Sequence, residues 1–272
     1  MGRSMNYVVE KLLSARSGAA VVALSAAMAL VSLPSANADE AQAKNLFKAM
    51  SEYLATQNAV SFDYDSSLEI ITKQNQKIAF TSSGSVTLKR PDKIRATRTG
   101  GFANVELVFD GKTLSLLGKV ANVYVQAEVS GTIDHLVDEL RNKYHRPIPA
   151  ADLLMSNPYG QLMPLVTDVK DLGSGVIRDQ ECDHLAFRTK EADFQLWIAQ
   201  GDHPYPCRYV ITTRKVKGWP EYMIDVRNWK TGSEVTSDDF SFKAPANAKM
   251  LKPGQLPNID ELPRALVKGI PQ

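Results

Sequence analysis

The sequence has no G-x-S-x-G elbow, no H-E-x-x-H helix, no P-loop and no C-x-x-C pair. The serine hydrolase, zinc protease, nucleotide-binding and thiol-redox classes therefore lack their local signatures. Histidine is scarce and scattered, at His135, His145, His184 and His203, and cysteine is scarcer, with only Cys182 and Cys207. Neither charge is in large surplus: 32 basic residues face 30 acidic ones. That balance argues against broad electrostatic capture of nucleic acid or an anionic membrane. Neither internal repeats nor low-complexity tracts occur, and one uncharged, mostly apolar run stands out, from Ala19 to Leu33.

That run follows Arg3, Lys11 and Arg16 and is broken by Pro34, after which Ala36-Asn37-Ala38 supplies a small-x-small cleavage site. A basic flank, a short apolar core and an A-x-A site make residues 1–38 a secretory signal peptide cleaved near Ala38. A membrane-spanning helix needs about 20 apolar residues, more than this run offers. With no cysteine at the cleavage site, the lipid-anchor signal is missing, and the expected location is the periplasm. Removing three basic residues and one acidic residue with the signal leaves 29 of each sign. The remaining chain is long enough to bury a substantial core.

In an oxidising compartment Cys182 and Cys207 are a possible disulfide. If they lie on two strands separated by a third, their Cα atoms are about 10 Å apart, beyond a disulfide's reach. Splayed strand ends would bring them closer, and the sequence leaves the pairing open.

From Asp39 to Gln57 the residues Leu46, Phe47, Met50, Tyr53 and Leu54 recur at helical spacing. The period then changes to two. Val60, Phe62, Tyr64, Leu68 and Ile70 alternate with polar residues, as do Ile78, Phe80, Val86 and Leu88. Further strands are expected at 94–99, 105–109, 113–117 and 123–129, with Asp110-Gly111 as a hairpin turn. Residues 132–144 place Ile133, Leu136, Val137 and Leu140 on one helical face, and two short helices follow at 150–155 and 158–166. Strands resume at 182–189, 193–199, 207–216 and 222–229, and Phe240 and Phe242 suggest a last short one. Prolines 253, 257, 263 and 271 make 251–272 a proline-rich tail outside the sheet. About eleven antiparallel strands with helices gathered on one face describe an α+β domain over 39–250.

Candidate chemistry is thin. His135 and Glu139 share a helix face, but two ligands without a third make a weak metal site, and no cofactor or metal is expected. His184 and Asp193 flank one hairpin and are placed to pair, and Cys182 is on the same strand face as His184. A Cys182–His184 hydrolase is the weaker alternative, since no activating context accompanies it. The aromatics are more informative: Phe62, Tyr64, Phe80 and Phe109 share the apolar side of their strands, with Phe187 and Leu196 available from the later strands. They either fill an ordinary core or line a space for an apolar ligand. Periodicity is the same in both cases.

Specific words narrow the field. Arg90-Pro91-x-Lys93-x-Arg95, Phe109-Asp110-Gly111-Lys112, His184-Leu185-Ala186-Phe187, Gln195-Leu196-Trp197-Ile198 and Pro204-x-Pro206-x-Arg208 occur in this order. Together they resemble a bacterial family of predicted periplasmic proteins carrying a domain of unknown function, itself similar to the LolA/LolB-like lipoprotein carriers. The resemblance implies a highly curved, half-closed antiparallel sheet, an unclosed barrel, with helices 132–166 as a lid over its open side. It implies an apolar concave face, here Phe62, Tyr64, Leu68, Phe80, Val86, Leu88, Leu107, Phe109, Phe187 and Leu196. Arg95 matches an arginine that latches the lid in the carriers; the alternative is a surface arginine. The implied partner is a lipid or lipoprotein acyl chain, bound without catalysis by a monomer. An envelope-protein interaction or sensor module with a filled core is the rival. Without an anchoring cysteine, a membrane-tethered acceptor is not expected.

Overall fold

The computed structural model describes residues 36–255, apart from 102, 146 and 147. The expected signal peptide up to residue 35 and the tail from 256 onward lie outside the described residues.

Helix α1 (Ala36–Thr56) opens the domain. Ala43, Phe47, Met50 and Leu54 form one fully buried stripe along it, the i, i+4, i+7 spacing that a core-facing helix requires. Asp39 in its first turn complements the helix dipole.

The strands that follow are β1 (Ala59–Ile71), β2 (Lys77–Lys89), β3 (Lys93–Gly100), β4 (Ala103–Phe109), β5 (Thr113–Gly118) and β6 (Val123–Glu128). After the helical insertion come β7 (Val166–Ile177), β8 (Gln180–Thr189), β9 (Ala192–Ala199), β10 (Pro206–Thr213), β11 (Glu221–Thr231) and β12 (Lys249–Leu251). All twelve belong to one sheet, in the order β12-β6-β5-β4-β3-β2-β1-β11-β10-β9-β8-β7. Every pair is antiparallel except β12 with β6. Strand β1 is central, with one meander on each side, and the outermost strands β12 and β7 do not pair. The sheet bends without closing. Register shifts at Ser61/Asp63, Asp171/Ser174 and Pro206/Arg208 insert bulges, which bend strands and sharpen their twist.

The two-residue period dictates which face is apolar. One register row runs Phe62, Val86, Ala96, Leu107, Leu116 and Val125 across six neighbouring strands. The next inner row runs Val60, Leu88, Ile94, Phe109 and Leu114, all buried. Tyr64 stands in a third row opposite Gly84. Its ring lies where that glycine has no side chain, and its hydroxyl donates to the Thr97 carbonyl at 2.8 Å.

Three expectations are corrected. Residues 166–177 form β7, an edge strand not anticipated because most of its side chains are exposed on both faces. Phe240 and Phe242 do not form a strand; Phe240 adopts φ 49°. Leu251, assigned to the tail, lies in β12. The segment between β11 and β12 is a strap over the convex face. Arg95 donates from Nε to Asp238 Oδ2 at 2.7 Å and from Nη2 to the Ser241 carbonyl at 2.9 Å, and pairs with Glu106. Phe240 is buried, and Phe242 meets Tyr124 with centroids 5.4 Å apart. Asn122 accepts the Lys249 N–H through its carbonyl, where β12 joins.

A Cβ at Gly84 would stand 1.9 Å from the Thr97 carbonyl oxygen and 2.7 Å from the Tyr64 ring. Gly84→Ala is therefore expected to destabilise the fold by about 1–3 kcal/mol, the usual cost of overpacking. Urea unfolding checks this; an unchanged midpoint would contradict the packing described.

Candidate functional site

The concave face must be covered, and the chain supplies the cover between β6 and β7. Helix α2 (Ile133–Asn142) starts at Thr132, whose hydroxyl accepts the His135 N–H at 3.3 Å. Its face of Ile133, Leu136, Val137 and Leu140 is buried against the sheet, as the spacing predicts. A 3-10 turn over 151–154 and helix α3 (Pro158–Leu162) complete the lid, with the Asn157 side chain capping α3. The lid is bonded within itself: Asp134 accepts from the Ser156 N–H at 2.9 Å, and Arg141 pairs with Asp152 at 2.5 Å. Ser51 of α1 accepts the Tyr159 N–H at 3.1 Å and ties α3 to α1.

The lid does not fill the concavity. A cavity of about 120 Å³ remains between α2 and the sheet. Phe62, Tyr64, Val86, Ala96 and Leu107 form part of its sheet wall, with Ile224, Val226 and Trp229 from β11. Ile133, Leu136, Val137, Leu140, Leu153 and Leu154 form its lid wall. A dry apolar cavity of about 150 Å³ can hold benzene, so the closed form has room for one end of a hydrocarbon chain, not for all of it. The polar side-chain groups among the lining residues are the hydroxyls of Tyr64, Tyr209 and Tyr222 and the Trp229 indole N–H, which donates to the Tyr53 hydroxyl at 3.4 Å. Burial pushes Tyr64 and Tyr209 far above the ordinary phenol range, so both stay neutral at physiological pH.

The concave-face residues expected from the sequence divide into three groups. Phe62, Tyr64, Val86 and Leu107 line the cavity. Leu88 and Phe109 are packed in the core beneath it, while Phe187 and Leu196 are buried on the α1 side, where Phe187 meets Phe47 at 5.3 Å. Leu68 and Phe80 pair with each other across β1 and β2, half-buried and outside the cavity lining. The β11 wall was missed: Ile224 and Val226 alternate correctly, but nothing local shows that β11 adjoins β1.

Arg90, not Arg95, is the arginine that bonds the lid. Arg90 donates from Nη1 to the Leu154 carbonyl at 3.0 Å and from Nη2 to the Met155 carbonyl at 3.3 Å. Burial lowers its pKa, opposed by the nearby Asp134 carboxylate, and a guanidinium remains charged in either case. The next carbonyl, Pro91, accepts the Ile133 N–H at 2.9 Å, so this turn holds the start of α2 and the end of the 3-10 turn. Parity explains the difference. Ile94 and Ala96 face the cavity, so Arg95 between them points to the convex side and the strap.

The residues considered for chemistry are otherwise engaged. His184 bonds Gln195 at 3.0 Å and stacks on Trp197 at 3.9 Å, while Asp193 pairs with Arg188 instead. Glu139 pairs with Lys143 at 2.7 Å, and among the described residues no three metal-ligating side chains cluster. The bulge at Cys207 removes the spacing objection to a disulfide: the Cys182 and Cys207 sulfurs are 2.7 Å apart, as free thiols, under Trp197 and Tyr205. Their contact lowers the pKa of the Cys182 thiol; the same contact and burial push Cys207 up.

Residues 43–252 match the model of a family described as predicted periplasmic protein (DUF2092). No curated protein matches the sequence. Among solved structures, the chain is similar to an uncharacterised conserved protein from Thermus thermophilus, with TM-score 0.44, 13% identity, and coverage of 78% of this chain and 99% of that one. It is similar to the Mycobacterium tuberculosis lipoprotein LppX, with TM-score 0.45, 13% identity, and coverage of 70% and 96%. A LolA superfamily protein from Nitrosomonas europaea matches with TM-score 0.33 and 11% identity over 73% of this chain and 99% of that one.

Arg90→Ala is expected to cost about 1.5–3 kcal/mol, the range for hydrogen bonds to a charged group, and to accelerate amide exchange across 151–156. Arg95→Ala should instead loosen 238–251 and leave the lid protected, and hydrogen–deuterium exchange separates the two. In protein taken from an oxidising compartment, mass spectrometry under denaturing conditions should find Cys182 and Cys207 unavailable to alkylation and the chain lighter by two hydrogens.

Proposed function

The chain belongs to this family of predicted periplasmic proteins, and on that premise we propose that it is an exported carrier. It takes a lipid or a lipoprotein acyl chain into the hollow under α2, as a monomer, without catalysing a reaction. The observation that carries the reading is an apolar hollow, closed by a separate helical cover that one arginine pins through two carbonyls.

Magnitudes support an exchange of lid for ligand. Each of the four buried α2 side chains gains about 1.5–3 kcal/mol from its contact with the sheet. An enclosed methylene gains about 0.8 kcal/mol, so a dozen of them gain roughly 10 kcal/mol gross. A hydrocarbon chain of that length offsets what the lid gives up when it swings out. The latch then sets how easily the exchange starts.

A second reading, an envelope-protein interaction module with a filled core, draws on the small size of the cavity and the depth to which Leu136 and Leu140 are buried.

Lipids retained through native purification and identified by mass spectrometry test the carrier reading directly. A solvatochromic lipid probe is expected to bind the purified protein. Ala96→Phe, which fills the cavity from its sheet wall, should reduce that binding at least about tenfold, a loss near 1.4 kcal/mol, while thermal unfolding stays cooperative. A probe that never binds, with no lipid retained, would leave the interaction module standing.

A further inference from the structure

Three hairpin tips gather at the end of the sheet away from the Arg90 latch. They are the β1–β2 turn, the β8–β9 turn at Lys190 and Glu191, and the longer β10–β11 loop from Arg214 to Pro220. Lys77 Nζ donates to the Trp219 carbonyl at 3.3 Å, and the Arg214 N–H donates to the Glu191 carbonyl at 2.9 Å, so the three form one surface.

Its composition is unusual for a protein otherwise balanced in charge. Trp219 is 63% exposed and Val216 is 44% exposed. Trp219 stands at φ 48° after Gly218 at φ 94°. A bulky residue in the left-handed region is strained, and here the strain is spent on holding an indole in water. The three turns and their flanks carry Lys73, Lys77, Lys190, Arg214, Lys215 and Lys217. The local carboxylates are fewer: Glu69 pairs with Lys77 at 3.0 Å, Glu191 with Lys215, and Asp193 is 3.9 Å from Arg214 but already holds Arg188, with Glu221 as the fourth. Lys73, Lys190 and Lys217 form no ion pair among the described residues.

The tip is also continuous with the hollow. Tyr222 lines the cavity and pairs with Leu68, which pairs with Phe80, and all three are only half-buried. They form an apolar path on the concave face between the cavity and the tip.

We propose that this tip is a docking surface for an anionic phospholipid bilayer. Trp219 and Val216 seat at headgroup depth, where an indole's apolar body and polar N–H are both accommodated, and the lysines meet phosphate oxygens. The docking stands on its own residues; that it delivers a hydrocarbon to the hollow rests on the carrier reading. A nucleic acid would not account for the exposed Val216 beside the indole. A bilayer accounts for both.

The test is co-sedimentation of the protein purified from the periplasm with vesicles of phosphatidylglycerol and phosphatidylethanolamine, against vesicles of phosphatidylcholine alone. Binding is expected to the anionic vesicles only, and to weaken as salt rises. Trp219→Ser should lose most of it. Lys73→Gln and Lys217→Gln should each weaken it about fivefold, the share of one lysine near an anionic surface. Melting temperature and uptake of the solvatochromic probe should be unchanged in all three variants. Wild-type protein that stays in solution, variants that bind as it does, or loop-dependent cross-linking to an envelope protein without vesicle binding would each overturn the proposal. Vesicle binding by wild-type protein that never takes up the probe would count against the carrier reading alone.

Discussion

A twelve-stranded sheet that bends but does not close leaves its apolar concave face to be covered by something other than the sheet. That requirement governs the rest of the structure. Helix α1 covers the β7–β9 side with Phe47 among Phe187, Phe194 and Tyr159. Helix α2 covers the β1–β4 side, less completely, and the remaining space is the candidate site. The two covers are attached differently. α1 is a long helix with a fully buried stripe, whereas the lid is two shorter helices and a 3-10 turn held to the sheet through the Arg90–Pro91 turn.

Much of the concave face was legible because alternation is a local signal. Phe62 and Val86 are apolar between polar neighbours, and each faces inward as its parity requires. The α2 face was legible for the same reason at the helical period. What was not legible depends on pairings between distant residues. Ile224 and Val226 become cavity wall because β11 adjoins β1, a pairing of residues far apart in sequence. β12 is three residues long and parallel to β6, too short to carry a pattern of its own. β7 buries only Val169 and Ile177 and leaves Leu172 and Val176 exposed, so no two-residue period marks it, and Lys170 and Asp168 pair with each other in solvent. Charged side chains on an edge strand discourage pairing with another sheet.

The two arginines of the R-P-x-K-x-R word show how little separates two roles. Arg95 is within β3, where strand geometry assigns it to the convex side. Arg90 is in the turn, free of that alternation, and its fork reaches the lid carbonyls. Each guanidinium ties the sheet to a segment that is not part of it. One holds the lid over the hollow, and the other holds the strap that carries β12 to its edge.

The central position of β1 has a consequence for how the molecule assembles. Its partner β2 follows at once, but its other partner, β11, is built from residues more than 150 positions later, as in the Tyr64–Val226 and Leu68–Tyr222 pairs. Each meander can form from neighbouring hairpins, whereas the seam that joins them needs both ends of the domain present together. A chain that is synthesised N-terminus first must therefore keep one edge of β1 unpaired until nearly all of the domain has been made. Non-local pairing of this kind slows folding and leaves strand edges open to wrong partners in the interval.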